Sequence, residues 1–271
     1  MFYPSSPKTK MVHNERAWID YSNVAEGYIT MECINNTLSR TCKVDMIHGD
    51  DNIIFDTYNR PEVLPLMFSN GEYRIRVLIQ SADTKYAVAL STQINVAMRD
   101  PDIRFRYPNQ RVNYTRESKA VAKAAYLCKD AKTESAKLYA IYDFIVNNFT
   151  YDNELAATVQ PRYLPDCDRT LSRGKGICCD IAELFAVMCR SQGLLAKYVT
   201  GYVKVPDSKE PVYHAYNRVW INNPVALAGG LIVKKNTWVT LDPTFAAHNK
   251  NKAAVIKWIA NPDNYADKHL Y

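Results

Sequence analysis

The chain has 271 residues, a length that suits one large domain or two of ordinary size. Hydrophobic residues make up 47% and charged residues 23%, a balance that excludes a disordered protein. The formal net charge is +6, but the basic residues are scattered among acidic ones without a stripe of interleaved aromatics, so we expect no nucleic-acid partner.

The first residues show no targeting pattern. Residues 1–12 are polar and contain Pro4 and Pro7, which is unlike a signal peptide. No stretch approaches the ~18 apolar residues that a membrane span needs. The sequence is compatible with two locations of the protein: extracellular or in the cell envelope if a signal peptide was removed, and cytoplasmic otherwise. We expect residues 1–15 to be flexible, and the sequence carries no signature of an oligomeric state.

Residues 18–98 have the alternation of short β-strands. Apolar and polar side chains alternate, with the period of two of half-buried strands, in four runs: 28–33, 73–79, 86–90 and 94–98. Segments rich in turn residues lie at 48–51 and 69–71. These features predict a small β-sandwich-like domain over residues 1–105.

The pattern changes after Pro101, and residues 104–113 are predicted to form an extended linker. Apolar residues at helical spacing then mark one face of an amphipathic helix: Leu138, Ile141, Tyr142, Ile145 and Phe149. Further helices are predicted over 117–128 and from Cys178 to Gln192, and strands over 197–204, 214–221 and 237–241. The whole chain is therefore predicted to be α+β, with a second domain over residues 106–271.

Seven cysteines are spread over the chain without any CxxC pair. The odd count and the spacing argue against a disulfide scaffold and against a zinc site. Asp166, Asp180 and Glu183 lack the regular spacing of calcium-binding oxygen ligands. We therefore expect no required metal and no cofactor, and purely structural roles for Cys167 and Cys189.

A candidate nucleophile lies at the start of the predicted helix 178–192. Gly174 and Gly176 make a flexible turn, and the helical pattern begins at Cys178 and Cys179. At a helix N-terminus the macrodipole favours a thiolate, and outward-pointing backbone N–H groups can bind a developing oxyanion. The alternative is that both cysteines are ordinary, inert helix residues.

Helical periodicity distinguishes the two adjacent cysteines. The face that contains Cys178 continues with apolar residues, whereas the face that contains Cys179 continues with Glu183, Val187 and Arg190. We therefore predict that Cys178 faces the core, where a base can reach it, and that Cys179 leans toward a mixed surface.

His214 and Asp242 are candidates for the base and its orienting acid. His214 lies in a strand-like run, and Asp242 ends the next one, directly before Pro243. A hairpin centred on Ala228, within the turn 226–230, would place His214 opposite Asp242, although a bulge would shift this register. An aspartate there can hold the tautomer and orientation of the imidazole, as in acyl-transfer triads. A lone histidine in a strand is otherwise more often structural.

Three blocks of the sequence resemble the core of the transglutaminase-like superfamily, in bacterial members that carry a β-rich N-terminal domain. The blocks are GKGICCDIAELFAVMCRSQGLLAKYVTGYV, YHAYNRVWI and WVTLDPTF, in family order and at family-like spacing. The resemblance implies a papain-like core with Cys178 as nucleophile, His214 as base and Asp242 as orienting acid. Gln160 and Tyr163 are candidates for the side chain that completes the oxyanion hole.

The resemblance also implies acyl transfer on peptide or glutamine amide bonds through a thioester, with a protein or peptide as substrate. With water as acceptor the enzyme is a peptidase or amidase, which we favour because a crosslinking enzyme must exclude water and no sequence feature indicates a tunnel. A lysine amine as acceptor would make it a transglutaminase. An interpretation of another class is a catalytically silent scaffold with an adhesive N-terminal module. Fast, pH-dependent alkylation of one thiol would favour the enzyme.

Overall fold

The computed structural model describes residues 3–34, 41–205, 208–248 and 252–271. The chain divides into two compact units. The N-terminal unit comprises Pro4–Arg104, and the C-terminal unit comprises Phe105–Tyr271 together with Tyr3. The α+β class predicted from the sequence, with a β-rich N-terminal region, is confirmed. Within the described residues, no helix is long and apolar enough to cross a membrane.

The described part of the N-terminal unit contains eight strands: β1 (Met11–His13), β2 (Ala17–Asp20), β3 (Tyr28–Cys33), β4 (Cys42–His48), β5 (Asp51–Thr57), β6 (Glu62–Pro65), β7 (Gly71–Ala82) and β8 (Lys85–Val96). They form two antiparallel sheets with the strand orders β1-β2-β3-β6 and β5-β4-β7-β8. Alternate residues such as Ile29, Met31, Ile75 and Val77 are fully buried. In β7 the period of two in the sequence corresponds to one buried face, whereas β3 is buried on both faces.

Two details of this unit differ from the sequence prediction. Met11–His13 pairs with β2, so this part of the segment 1–15 is an ordered strand. The runs 86–90 and 94–98 fall largely in the single strand β8, and the register with β7 skips Ala89. An extra residue in one strand reverses the alternation beyond it. Val88 accordingly points outward and is 51% exposed.

The described part of the C-terminal unit contains seven helices and eight strands: α1 (Lys119–Leu127), α2 (Glu134–Asn148), β9 (Thr150–Tyr151), α3 (Asn153–Thr158), α4 (Cys167–Arg173), β10 (Lys175–Gly176), α5 (Cys178–Ser191), β11 (Leu195–Val203), β12 (Val212–Trp220), β13 (Val225–Ala226), β14 (Ile232–Val233), β15 (Val239–Leu241), α6 (Pro243–His248), α7 (Lys252–Ile259) and β16 (Tyr265–Leu270). The main sheet has the antiparallel order β15-β12-β11-β16. The three helices predicted from the sequence correspond to α1, α2 and α5.

The prediction of an extended linker over residues 104–113 is wrong. Phe105 and Val112 are fully buried and Tyr107 is nearly so. The ring of Phe105 packs edge-on against that of Trp238, with centroids 5.9 Å apart. These apolar side chains are separated by polar residues without helical or strand periodicity, which is why the sequence pattern reads as a linker although the segment belongs to a core.

Helix α5 is the central helix of the C-terminal unit, and from Asp180 to its end it is buried all round. The prediction that the Cys179 face of this helix is a mixed surface is therefore wrong, because Glu183 and Arg190 on that face are both fully buried. The guanidinium of Arg190 donates to three backbone carbonyl oxygens, those of Tyr107, Ala196 and Tyr271. A buried charge is tolerated only with such partners.

Candidate active site

The start of helix α5 is fixed by a carboxylate in its first turn. Asp180 Oδ2 accepts a hydrogen bond from the Ile177 backbone N–H at 3.0 Å, and Asp180 Oδ1 accepts one from the Tyr163 hydroxyl at 2.6 Å. A side chain at Gly176 would not fit, because an added Cβ would lie 2.7 Å from Asp180 Cβ. The turn, the glycine and the acid together make Cys178 the first residue of the helix.

His214 and Asp242 form a buried pair. The imidazole Nε2 lies 2.8 Å from Asp242 Oδ2, and the two residues are 7% and 0% exposed. Asp242 follows β15 and caps α6, since its Oδ1 accepts the Phe245 backbone N–H at 3.0 Å. Pro243 occupies the first position of α6, where its missing N–H costs nothing. With Nε2 directed at the carboxylate, Nδ1 is the ring nitrogen available to a reacting group.

The hairpin between the two residues has a different register from the predicted one. Asn217 pairs with Leu241, and Val225 pairs with Val233, so the hairpin is centred on Gly229 rather than Ala228. This shift places Asp242 at the level of residue 216 instead of His214. The carboxylate still reaches the imidazole, which lies two residues earlier in β12, because Asp242 lies past the last paired residue of β15.

The Cys178 thiol, at the N-terminus of α5, lies next to the imidazole of His214. Burial works against the charged imidazole, but the charge of Asp242, its hydrogen bond and the neighbouring Cys178 thiol outweigh burial and raise the pKa of His214 to about 10. Asp242 and Cys178 therefore both favour the charged form of the imidazole. The structure thus brings together all three residues that the sequence singles out.

The neighbouring thiol has a different environment. Burial, followed by the nearby Cys178 and Asp180, raises the pKa of Cys179 well above that of a free thiol. A group with a raised pKa is a poor nucleophile at neutral pH, because little of it is thiolate. The raised pKa of Cys179 argues against this residue as the nucleophile, whereas the predicted difference between the two helix faces is absent from the structure.

The part of the chain that carries these residues is similar to a known family. Residues 121–243 match the family model described as transglutaminase-like superfamily. Residues 121–243 form a transglutaminase-like domain. Cys178, His214 and Asp242 all lie within it. No curated protein sequence matches the chain.

Solved structures that resemble this chain include the following three. A Cytophaga hutchinsonii structure whose name assigns it as a cysteine protease has 16% sequence identity and a TM-score of 0.44, over 97% of this chain and 74% of that one. The periplasmic domain of TgpA from Pseudomonas aeruginosa has 13% identity and a TM-score of 0.40, over 91% of this chain and 99% of that one. Red sea bream transglutaminase has 13% identity and a TM-score of 0.36, over 83% and 49%.

Two tyrosines near the site escape the sequence analysis. The Tyr265 hydroxyl donates to Asp242 Oδ2 at 3.1 Å, from strand β16, which lies outside the transglutaminase-like domain as matched. Tyr151 lies near the thiols: burial first, and then Cys178 and Cys179, raise its pKa. Neither has a sequence signal, because Tyr265 stands in a short polar strand and Tyr151 in a two-residue strand.

Other residues considered from the sequence lie in ordinary surroundings. The exposed side chain of Gln160 donates a hydrogen bond to the Thr158 carbonyl oxygen, and the Tyr163 hydroxyl donates one to Asp180. Each side chain would have to break its hydrogen bond before it could donate to an oxyanion. Cys167 and Cys189 are buried. Within the described residues, no group of three or more His, Cys, Asp or Glu side chains is arranged to hold a metal ion.

Proposed function

We propose that this protein is a cysteine-dependent acyl-transfer enzyme that hydrolyses peptide or glutamine amide bonds, with Cys178, His214 and Asp242 as its catalytic residues. The observation that carries the proposal is the meeting of the Cys178 thiol, at the start of α5, with an imidazole whose other side is held by a buried carboxylate. Such an arrangement of nucleophile, base and orienting acid is the general design of acyl-transfer sites.

The first half-reaction uses the charged form of the pair. A Cys178 thiolate attacks the carbonyl carbon of the amide, and the new oxyanion accepts hydrogen bonds from backbone N–H groups at the start of α5. The His214 imidazolium gives its proton to the leaving nitrogen, so that the C–N bond breaks and an amine or ammonia departs. The products are a thioester on Cys178 and a neutral imidazole.

The second half-reaction restores the resting state. Neutral His214 takes a proton from water, whose oxygen attacks the thioester carbonyl, and the tetrahedral intermediate expels the thiolate. The product is a carboxylic acid. Cys178 is partly exposed, which supports access of water to the thioester. The same thioester can be captured by a lysine amine, and this crosslinking reaction is the alternative outcome.

The test combines labelling with a substrate screen. The protein is treated with a neutral alkylating reagent, and the rate at each thiol is read by peptide mapping. We expect Cys178 to react fastest, Cys178→Ala to abolish turnover, and Cys179→Ala, the matched control one residue away, to retain most of it. Peptide and glutamine substrates are then supplied with and without a primary amine. A new carboxylate indicates hydrolysis, and a new amide with the amine indicates transglutamination.

Two results would remove the proposal. If Cys178 reacts no faster than the other thiols, and its rate does not change in His214→Ala, the cysteine is not activated. If Cys179→Ala rather than Cys178→Ala abolishes turnover, the nucleophile is misassigned. An inactive protein with an unactivated Cys178 would favour the catalytically silent scaffold.

A further inference from the structure

The N-terminal unit contains a close pair of sulfur atoms. Cys33 is the last residue of β3, and Cys42 is the first residue of β4. Their Sγ atoms lie 2.6 Å apart, and each residue is only 1% exposed. No part of the proposed acyl-transfer chemistry uses these cysteines, which belong to the other compact unit.

The backbone on both sides holds the two cysteines in place. Cys33 pairs with Ala17 of β2, whereas Cys42 pairs with Thr57 of β5 on one side and with Ile79 of β7 on the other. The sulfurs therefore lie close together because three hydrogen-bonded ladders position the backbone of the two cysteines. The two strands belong to different sheets.

We propose that Cys33 and Cys42 form a disulfide bond that links the two sheets of the N-terminal unit. The odd cysteine count argues against a scaffold built of disulfides, but it leaves room for one pair. The hydrogen bond between the thiols and their burial raise the pKa of Cys33, so the reduced pair is inert once the unit has folded. The bond therefore forms during folding, while the thiols are still accessible.

The oxidant in this step is a disulfide, either a small molecule or a disulfide-exchange protein. One cysteine thiolate attacks the oxidant and releases one thiol, which leaves a mixed disulfide. The second cysteine attacks the protein sulfur of that mixed disulfide and releases the other thiol. The two protein thiols are oxidised, the oxidant is reduced to two thiols, and the two protons end on them. Such bonds persist in oxidising compartments.

Peptide mapping reads this bond directly. The protein is unfolded, reduced, and refolded with reduced and oxidised glutathione; remaining thiols are then alkylated and the protein is cut with trypsin without reduction. Cleavage after Arg16, Arg40 and Lys43 places the two cysteines in separate peptides, Ala17–Arg40 and Thr41–Lys43. We expect these two peptides to be joined, with the loss of two hydrogen atoms. The linked species should disappear in Cys42→Ser and persist in Cys128→Ser, a control at another buried cysteine.

A thermal scan provides the second readout. Reduction under denaturing conditions, followed by refolding without oxidant, should lower the Tm of the N-terminal unit by roughly 8 °C or more. If both peptides are instead recovered fully alkylated after oxidative refolding, or joined to other cysteines, the proposal is wrong. The wild-type mapping needs no variant, so a Cys42→Ser protein that fails to fold does not affect the decision.

Discussion

The carboxylate of Asp242 accepts three hydrogen bonds at once. Oδ1 accepts the Phe245 N–H, while Oδ2 faces both His214 Nε2 and the Tyr265 hydroxyl. The carboxylate is completely buried. These bonds fix its orientation independently of the imidazole, so the position of the His214 ring is set by a group that cannot turn away.

Replacement of Asp242 by Asn should reverse the direction in which the His214 pKa is shifted. Burial alone lowers this pKa, and the negative charge of Asp242 is the largest opposing effect. In Asp242→Asn we therefore expect the pKa to fall from about 10 to below 6.5, as followed by NMR titration of the imidazole. Turnover should fall between about ten-fold and about 10⁴-fold. Asp267→Asn removes a carboxylate that accepts a hydrogen bond from Tyr216. This variant is the control and should change neither the pKa of His214 nor the turnover. Unchanged turnover in Asp242→Asn would leave a Cys-His dyad.

Tyr265 should act as a positioning residue for Asp242. Tyr265→Phe removes one hydrogen bond to a buried charged group, a loss of about 1.5–3 kcal/mol of stability. One hydrogen bond fewer then stabilises the negative charge on Asp242, so the carboxylate attracts the imidazolium more strongly. The pKa of His214 should therefore rise further in the same NMR titration. Tyr216→Phe is the matched control in the same aromatic cluster, since its hydroxyl donates to Asp267 instead. A merely structural Tyr265 would lower stability without moving the titration of His214.

At the scale of elements, local signals predict where α5 begins but not how its surroundings fold. The glycines and the acid that fix the helix start all lie within seven residues, 174–180, so the sequence displays them together. Two of the three partners of Arg190, Tyr107 and Tyr271, are more than 80 residues away in the chain, and no sequence pattern shows that they meet it. The strand alternation likewise predicts β7 but not the bulge in β8, because a bulge depends on how two strands pair.

We expect the cap that Asp180 forms at the start of α5 to contribute strongly to the free energy of unfolding. Asp180→Ala removes the acceptor of both the Ile177 N–H and the Tyr163 hydroxyl, and the helix start is buried, so we expect a loss of about 1–3 kcal/mol. Asp166→Ala is the control, because Asp166 also caps a helix but is exposed; it should cost about 0.5–1 kcal/mol. Urea unfolding of both variants makes the comparison. Equal losses would show that burial adds nothing to this cap.

At the scale of the whole molecule, the sequence predicts a change from β-rich to mixed structure, and this change lies near the division between the compact units. Composition and periodicity reveal it because strands and helices have different periods. The burial of Phe105, Tyr107 and Val112 is not predictable in this way. A short irregular segment has no period, and only the three-dimensional core shows which of its side chains are inside.

The pH dependence of folding should report the His214–Asp242 pair. The folded pKa of His214 is about 10 and its ordinary value is 6.5, so the pair contributes its full stability below pH 6.5 and loses it as the pH rises toward about 10. The loss should be on the order of a few kcal/mol. Urea unfolding can be followed by tryptophan fluorescence, because three of the four tryptophans, Trp220, Trp238 and Trp258, lie in the C-terminal unit.

Two variants separate this effect from other titrations. In Asp242→Asn the shift of the His214 pKa has the opposite sign, so stability should instead increase as the pH rises toward 6.5 and then stay level. Burial also raises the pKa of Glu183, and this shift too makes stability fall with rising pH, starting above the ordinary carboxyl value. Glu183→Gln removes that contribution and should keep the decline between pH 6.5 and about 10. If the decline disappears in Glu183→Gln and persists in Asp242→Asn, the buried carboxyl on α5 causes it, and His214 is not held as an imidazolium.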